Sequence, residues 1–186
     1  MPYLTQSALE NLGFARLGRD VRISDRAAIY QPERIEIGDH SRIDDFCVLS
    51  GRIVIGRNVH VAPMCILAGG EPGITLGDFS GLAYNVTVFA QSDDYSGRTM
   101  TNPTVPKAFK NETFAAVEIG AHSILGAGAV VTPGCILGEG TAVGAKALVN
   151  ASCEPWGIHV GIPARRLRER SRALLDLERD YLASDR

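Results

Sequence analysis

Long apolar runs are missing from this chain. No stretch approaches the roughly 20 apolar residues of a membrane span. No basic-then-apolar pattern opens it, so a cytoplasmic location and no membrane span are expected. Excess charge is missing too: the formal net charge of −2 gives no steering toward nucleic acid or anionic lipid. Aromatic residues make up 6%, too few for a sandwich core, while twenty glycines suit a solenoid rich in corners. There is no Cys-x-x-Cys pair, so neither a metal site nor redox chemistry is expected of the four cysteines. With 186 residues, 45% hydrophobic and 22% charged, the chain reads as one soluble domain with a substantial core.

What is present is a repeat. Between Val117 and Val160 an aliphatic residue recurs every sixth position: Ile119, Leu125, Val131, Leu137, Val143 and Val149. Four places after each stands a small residue: Ser123, Ala129, Cys135, Thr141, Ala147 and Cys153. A period of six indicates a parallel β-helix, in which each hexad is a short strand plus a corner and three hexads close one coil. Glycine after the aliphatic residue allows the backbone angles that corners need. The same register runs through Leu17, Ile23 and Ile29, slips at Pro32-Glu33, and continues from Ile37 to Leu67. A turn-rich excursion is expected over residues 69–73, with register resuming at Leu76, Leu82 and Val88. Cys47 and Cys65, like Cys135 and Cys153, are 18 residues apart. Each pair should therefore stack on adjacent coils about 4.8 Å apart, as small buried core thiols.

Residues 90–116 interrupt this repeat with Ser, Asp, Asn, Thr, Pro and Gly. A loop this long inside a compact domain is functional or disordered, and insertions in solenoids gather on the binding face. It reads as an ordered arm reaching toward a neighbouring subunit. Three segments are expected: an N-terminal helical cap over residues 1–15, the β-helix over 16–160, and a C-terminal turn and helix over 161–186. Thr5 or Ser7 would cap the first helix and Gly13 stop it. A charged helix over residues 165–182 would cap the other end of the solenoid.

The hexads, the arm and the ending Val160-Gly161-Ile162-Pro163-Ala164-Arg165-Arg166 together resemble the hexapeptide-repeat acyltransferases. Within them the chain is most similar to the galactoside and maltose O-acetyltransferase group and its relatives in polysaccharide gene clusters. The likeness spans about residues 15–170. It implies an all-β solenoid, a left-handed parallel β-helix, assembled as a homotrimer with active sites in the clefts between subunits and acetyl-CoA as donor. The pantetheine arm would lie along Ala127, Ala145, Asn150 and Ala151, and Arg165, Arg166 and Arg168 would meet the CoA phosphates. Asn85 and Tyr95 would contact the acceptor. Transfer to a sugar or sugar-nucleotide hydroxyl, in polysaccharide or O-antigen biosynthesis, is the activity implied.

At the catalytic position the chain departs from that group. The place of its loop histidine, after Asn85-Val86-Thr87, holds Asp93 followed by Asp94. A carboxylate's ordinary pKa of about 4 makes it a weak base for a hydroxyl, although burial or a second carboxylate would raise it. Sugar binding or holding the loop's turn are the alternatives for this pair. His60, in Asn58-Val59-His60-Val61, resembles a histidine of the amino-sugar N-acetyltransferases and could be the base instead. His40 and His122 fall on corners, where exposure is expected, and His159 lies beside the C-terminal turn. Three other readings stay open: N-acetylation of an amino sugar, a metal-dependent carbonic-anhydrase-like protein built on His40, His60 and His122, and a catalytically silent scaffold.

Overall fold

The computed structural model describes residues 2–184; Met1, at the start of the expected N-terminal segment, and residues 185–186, at the close of the C-terminal one, lie outside the described residues. The aliphatic hexad residues form the interior of a left-handed parallel β-helix. On its first face Ile43, Val61, Leu82, Leu125 and Val143 stack in register, each from the next coil. All five are buried. Burying one such side chain contributes about 1.5–3 kcal/mol, so the columns carry the fold.

Strands His60–Val61, Gly81–Leu82 and Ile124–Leu125 belong to this first face. The second face takes the openings of two long strands, Val48–Ile55 and Ile66–Leu76, followed by Thr87–Phe89. The third takes their closing residues and Val117–Ile119. The residues 69–73 expected as an excursion are thus absorbed into Ile66–Leu76, which bends round the corner without leaving the sheet. Its partner strand bends there as well, and Gly51 and Gly70 meet so closely that a Cβ on Gly51 would lie 2.4 Å from the Gly70 nitrogen. Backbone pairing continues through a shifted register instead of breaking into a turn.

The corner between the first and second faces is left-handed at Phe46, Met64 and Asn85, and so is the corner between the third and first faces. On the latter, His40, Asn58, Phe79, His122 and Trp156 have φ between 53 and 60°. Each amide donates to a carbonyl of the preceding coil, as from Asn58 to Asp39 and from Trp156 to Glu139. That ladder offsets the steric cost of the αL conformation in non-glycine residues.

Helix α1, Gln6–Asn11, starts at Thr5, whose hydroxyl accepts from the Ala8 amide at 3.2 Å. It buries Leu9 against the first coils. At the other end the expected helix over 165–182 divides. Arg165–Glu169 is a strand, antiparallel to Gly157–Val160, and helix α2 spans only Leu174–Ser184. The last coil presents an unpaired strand edge, and covering it satisfies backbone groups that a helix over 165–169 would leave open. Helix α2 then lies along the corner between the third and first faces. Tyr181 accepts a hydrogen bond from the Asn58 side-chain amide at 3.0 Å and stands edge-on to Phe79, and Glu178 reaches His122 at 3.2 Å. His122, expected exposed on its corner, is buried beneath this helix.

His159 occupies the interior column one coil beyond Val143 and ends it. Burial lowers its pKa, which favours a neutral imidazole at the last rung. The four cysteines are buried free thiols. The Cys153 thiol is pushed up to about 11 by burial, which leaves it inert. Among the described residues no helix is long and apolar enough to cross a membrane.

Candidate active site

The arm departs after Thr87–Phe89 on the second face and returns at Val117–Ile119 on the third. It is ordered by its own pairing. Gln91–Ser92 runs antiparallel to Thr113–Phe114, and the Met100 amide donates to the Phe109 carbonyl at 3.0 Å. Asn102, at φ 71°, accepts from the Thr104 amide and hydroxyl and closes the tip. At the root Lys110 and Glu112 pair at 3.2 Å with side chains only 6% and 9% exposed, and Glu112 also accepts from Gln91 at 2.8 Å. A buried, hydrogen-bonded ion pair fixes geometry because leaving either charge alone is costly.

Asp93, Asp94 and Tyr95 come together in one cleft of about 470 Å³, with Thr99 and Met100 on its walls. The two carboxylates differ in what they are tied to. Asp94 accepts from the Ser96 amide and the Thr99 hydroxyl, one on each oxygen, both at 2.8 Å. Those bonds from Ser96 and Thr99 lower its pKa to about 2. The second carboxylate of the pair is thus not raised toward neutrality, and Asp94 holds the turn. Among the described residues the Asp93 carboxylate accepts from the Asn102 amide alone, at 3.3 Å, which leaves it the more available to a ligand. Tyr95 is 93% exposed at the rim.

His60 lies elsewhere. It sits on the first face, whereas the arm replaces the corner between the second and third, so within one chain they are on opposite sides of the prism. His60 Nε2 is 2.8 Å from Asp44 Oδ2, and Arg42 donates twice to the same carboxylate at 2.7 Å. Arg42 and His60 stack there because they are 18 residues apart, one coil. Asp44 is only 1% exposed, and His60 is 48% exposed. Burial pushes the Asp44 carboxyl up, but the bonds from Arg42 and His60 outweigh it and hold it below the usual range. His40, with Nδ1 3.4 Å from Asp20, is three coils from His122 along the same corner, and neither converges with His60.

The residues expected along the CoA path lie on the coils after the arm. Ala145, Asn150 and Ala151 are exposed, Ala127 half-buried, and the Lys146 amide donates to the Ala127 carbonyl at 2.9 Å. Arg165, Arg166 and Arg168 all project from the strand that closes the last coil. Arg166 pairs with Glu169 at 2.9 Å, leaving Arg165 and Arg168 without an ion pair among the described residues. Asn85 stands at φ 58° on the corner between the first and second faces, away from the cleft that holds Asp93.

Several residues near the arm carried no sequence signal. Arg34 makes a bidentate pair with Glu71 at 2.8 and 3.0 Å, and both line a second cleft, of about 340 Å³, with Gln91, Lys107 and Phe114. Only the 18-residue coil combined with the arm's return path brings residues 34, 71, 91 and 107 together. A charge on every coil's outer corner is common, so spacing alone does not single them out.

A family profile described as bacterial transferase hexapeptide (six repeats) matches residues 34–69. A dTDP-4-amino-4,6-dideoxy-D-glucose acyltransferase of Escherichia coli is 40% identical over 96% of this chain and 94% of its own length. The crystal structure of AntD, an N-acyltransferase from Bacillus cereus, in complex with dTDP and 3-hydroxybutyryl-CoA, superposes with a TM-score of 0.97 at 41% identity, covering 98% of this chain and 97% of the other. A maltose O-acetyltransferase from Clostridium difficile is 19% identical with a TM-score of 0.58, covering 90% of this chain and 75% of that one, a likeness of fold alone.

Proposed function

Because the chain belongs to the hexapeptide-repeat acyltransferases, we propose that it transfers an acyl group from coenzyme A to the amine of a thymidine-diphosphate-linked amino sugar. Nitrogen rather than oxygen is acylated, the reading set beside hydroxyl transfer in the sequence. The observation that carries it is the 40% identity over nearly the whole chain to an acyltransferase named for such an acceptor. The arm supports it: its cleft offers a carboxylate, not a histidine, and an amine asks less of its base than a hydroxyl does.

The acceptor's ammonium first loses a proton through Asp93 to water, and the free amine then attacks the thioester carbonyl, forming the C–N bond and pushing the carbonyl π electrons onto oxygen. Collapse of that tetrahedral centre breaks the C–S bond and releases the CoA thiolate. The second proton lost from nitrogen goes to Asp93, which hands it on to the thiolate or to water. Asp94, tied to Ser96 and Thr99, keeps Asp93 in place. Holding both substrates against the arm supplies much of the rate by removing their translational freedom. His60 serves the Asp44 cluster on the far face and not the proton transfer. The enzyme works as a homotrimer, each arm reaching over its neighbour; light scattering tests this, and a mass other than three times the 19.9 kDa chain sinks it.

The acyl donor lies along Ala127, Ala145, Asn150 and Ala151, with its phosphates at Arg165 and Arg168. Replacing Arg168 by alanine is expected to raise the KM for acyl-CoA about tenfold, the cost of one charge-assisted bond. The KM for the acceptor should stay as it was. Equal loss on both substrates would place Arg168 outside the donor site.

Thiol release with acetyl-CoA and 3-hydroxybutyryl-CoA, against the amino sugar nucleotide and its hydroxyl counterpart, tests the reaction. An amide product from the amine supports the proposal. Turnover confined to the hydroxyl compound restores the O-transfer reading, and no turnover with either leaves a silent scaffold.

A further inference from the structure

The cleft that holds Asp93 does not end there. Asp93 also lines a smaller cavity of about 280 Å³, floored by Ala68 and walled by Gln91, Pro103 and Glu112. Those three walls are shared in turn with the 340 Å³ cleft at Arg34, Glu71 and Lys107. The three hollows adjoin one another through these shared residues as a trough beside the arm, with Asp93 and Asp94 at one end and Arg34 and Lys107 at the other. Glu71 and Glu112 do not cancel the cationic end, because Arg34 and Lys110 already hold them at 2.8 and 3.2 Å. Lys107 forms no ion pair among the described residues, and it is exposed to the trough. Phe114 and Val105 give that end an apolar wall.

We infer that this trough binds the acceptor lengthwise, with the amine of the sugar at Asp93, the diphosphate at Lys107, and the base leaning on Phe114. The inference rests on the proposed function and assigns its acceptor a place and a direction. A nucleoside diphosphate amino sugar carries its positive charge on the sugar and its negative charge on the linker, and the trough carries the opposite order. The intervening cavity leaves room for the hexose ring between Asp93 and the diphosphate. Reversing the ligand would set the ammonium against Lys107 and the diphosphate against two aspartates. Like charges opposed in this way penalise the wrong orientation more than matching charges reward the right one.

The test titrates thymidine diphosphate and acyl-CoA into the full-length wild type and into Lys107→Ala and Lys107→Glu, with steady-state kinetics on the amino sugar nucleotide alongside. Lys107 is exposed and forms no ion pair among the described residues, its charge only facing Glu71 and Glu112, so Lys107→Ala leaves the arm's own hydrogen bonds intact. Lys107→Ala should weaken thymidine diphosphate about tenfold and raise the acceptor KM in proportion, with kcat and acyl-CoA affinity unchanged. Lys107→Glu should weaken it further, and added salt should narrow the gap between wild type and variants. Wild-type binding that survives both substitutions would overturn the trough assignment and leave the proposed reaction standing. A wild type that neither binds thymidine diphosphate nor turns over the nucleotide would overturn the proposed reaction, and the trough assignment with it.

Discussion

Asp93→Asn is expected to lower kcat by a factor on the order of 10²–10⁴, the usual worth of a positioned general base, while the KM for acyl-CoA changes little. Asparagine keeps the size of the side chain and one carbonyl oxygen, so the Asn102 amide at 3.3 Å retains its acceptor. Only the capacity to take a proton is lost. Asp94→Asn should behave differently. Its two oxygens each accept a bond, from Ser96 and from Thr99, and an amide nitrogen cannot accept the second. The turn should loosen, which shows as a raised acceptor KM and faster proteolysis of the arm. If Asp94→Asn abolishes kcat while the arm stays protected and Asp93→Asn does not, the roles assigned to the two aspartates are reversed.

The contrast between these neighbours could not be read from the sequence. Ser92-Asp93-Asp94-Tyr95 marks the position of the chemistry because it falls where the strict repeat stops, and a long interruption needs a reason. Which aspartate is free depends on Ser96 folding back two residues and Thr99 five, and turn geometry decides that, not residue type. The interior of the solenoid is the opposite case. An aliphatic residue every sixth position has one physical use in this architecture, so the columns through Leu82, Leu125 and Val143 are legible without coordinates.

The C-terminal region misleads for an equally physical reason. Residues 165–172 hold five arginines, one glutamate and Leu167, and suit an exposed helix by propensity. The edge of Gly157–Val160 decides otherwise, because an open ladder of backbone groups gains more from a strand than the segment gains from helicity. His122 follows from the same displacement: once the helix is shortened and laid along the corner between the third and first faces, Glu178 and Phe79 enclose it. The cationic end of the trough is hidden by distance along the chain. Arg34 belongs to an early coil and Lys107 to the long interruption itself, and nothing local to either announces the other.

Asp44→Asn should cost about 2 kcal/mol of stability near neutral pH. The carboxylate is almost fully buried and accepts two bonds from Arg42 and one from His60. Bonds to a charged acceptor are worth about 1.5–3 kcal/mol each when the partner is left unsatisfied. Arg42 and His60 are both partly exposed and recover water, which keeps the total near the low end. A loss of that size lowers the melting temperature by about 4–8 °C in a chain of this length. The pH dependence is the sharper check. Asp44 is held below the usual carboxylate range in the fold. Its charge therefore contributes stability that is fully present above the unfolded carboxylate's pKa of about 3.9. That contribution is lost as the pH falls through the lower, folded value. Wild type and Asp44→Asn should thus differ at pH 6 and converge under strongly acidic conditions. His60→Ala should remove part of the same stability and leave kcat within about threefold, since the base is assigned to Asp93. A stability gap between wild type and Asp44→Asn that persists unchanged into acid would mean shape, not charge, holds this corner. A large fall in kcat with His60→Ala, at unchanged melting temperature, would move the proton transfer to the first face and into a site shared between subunits.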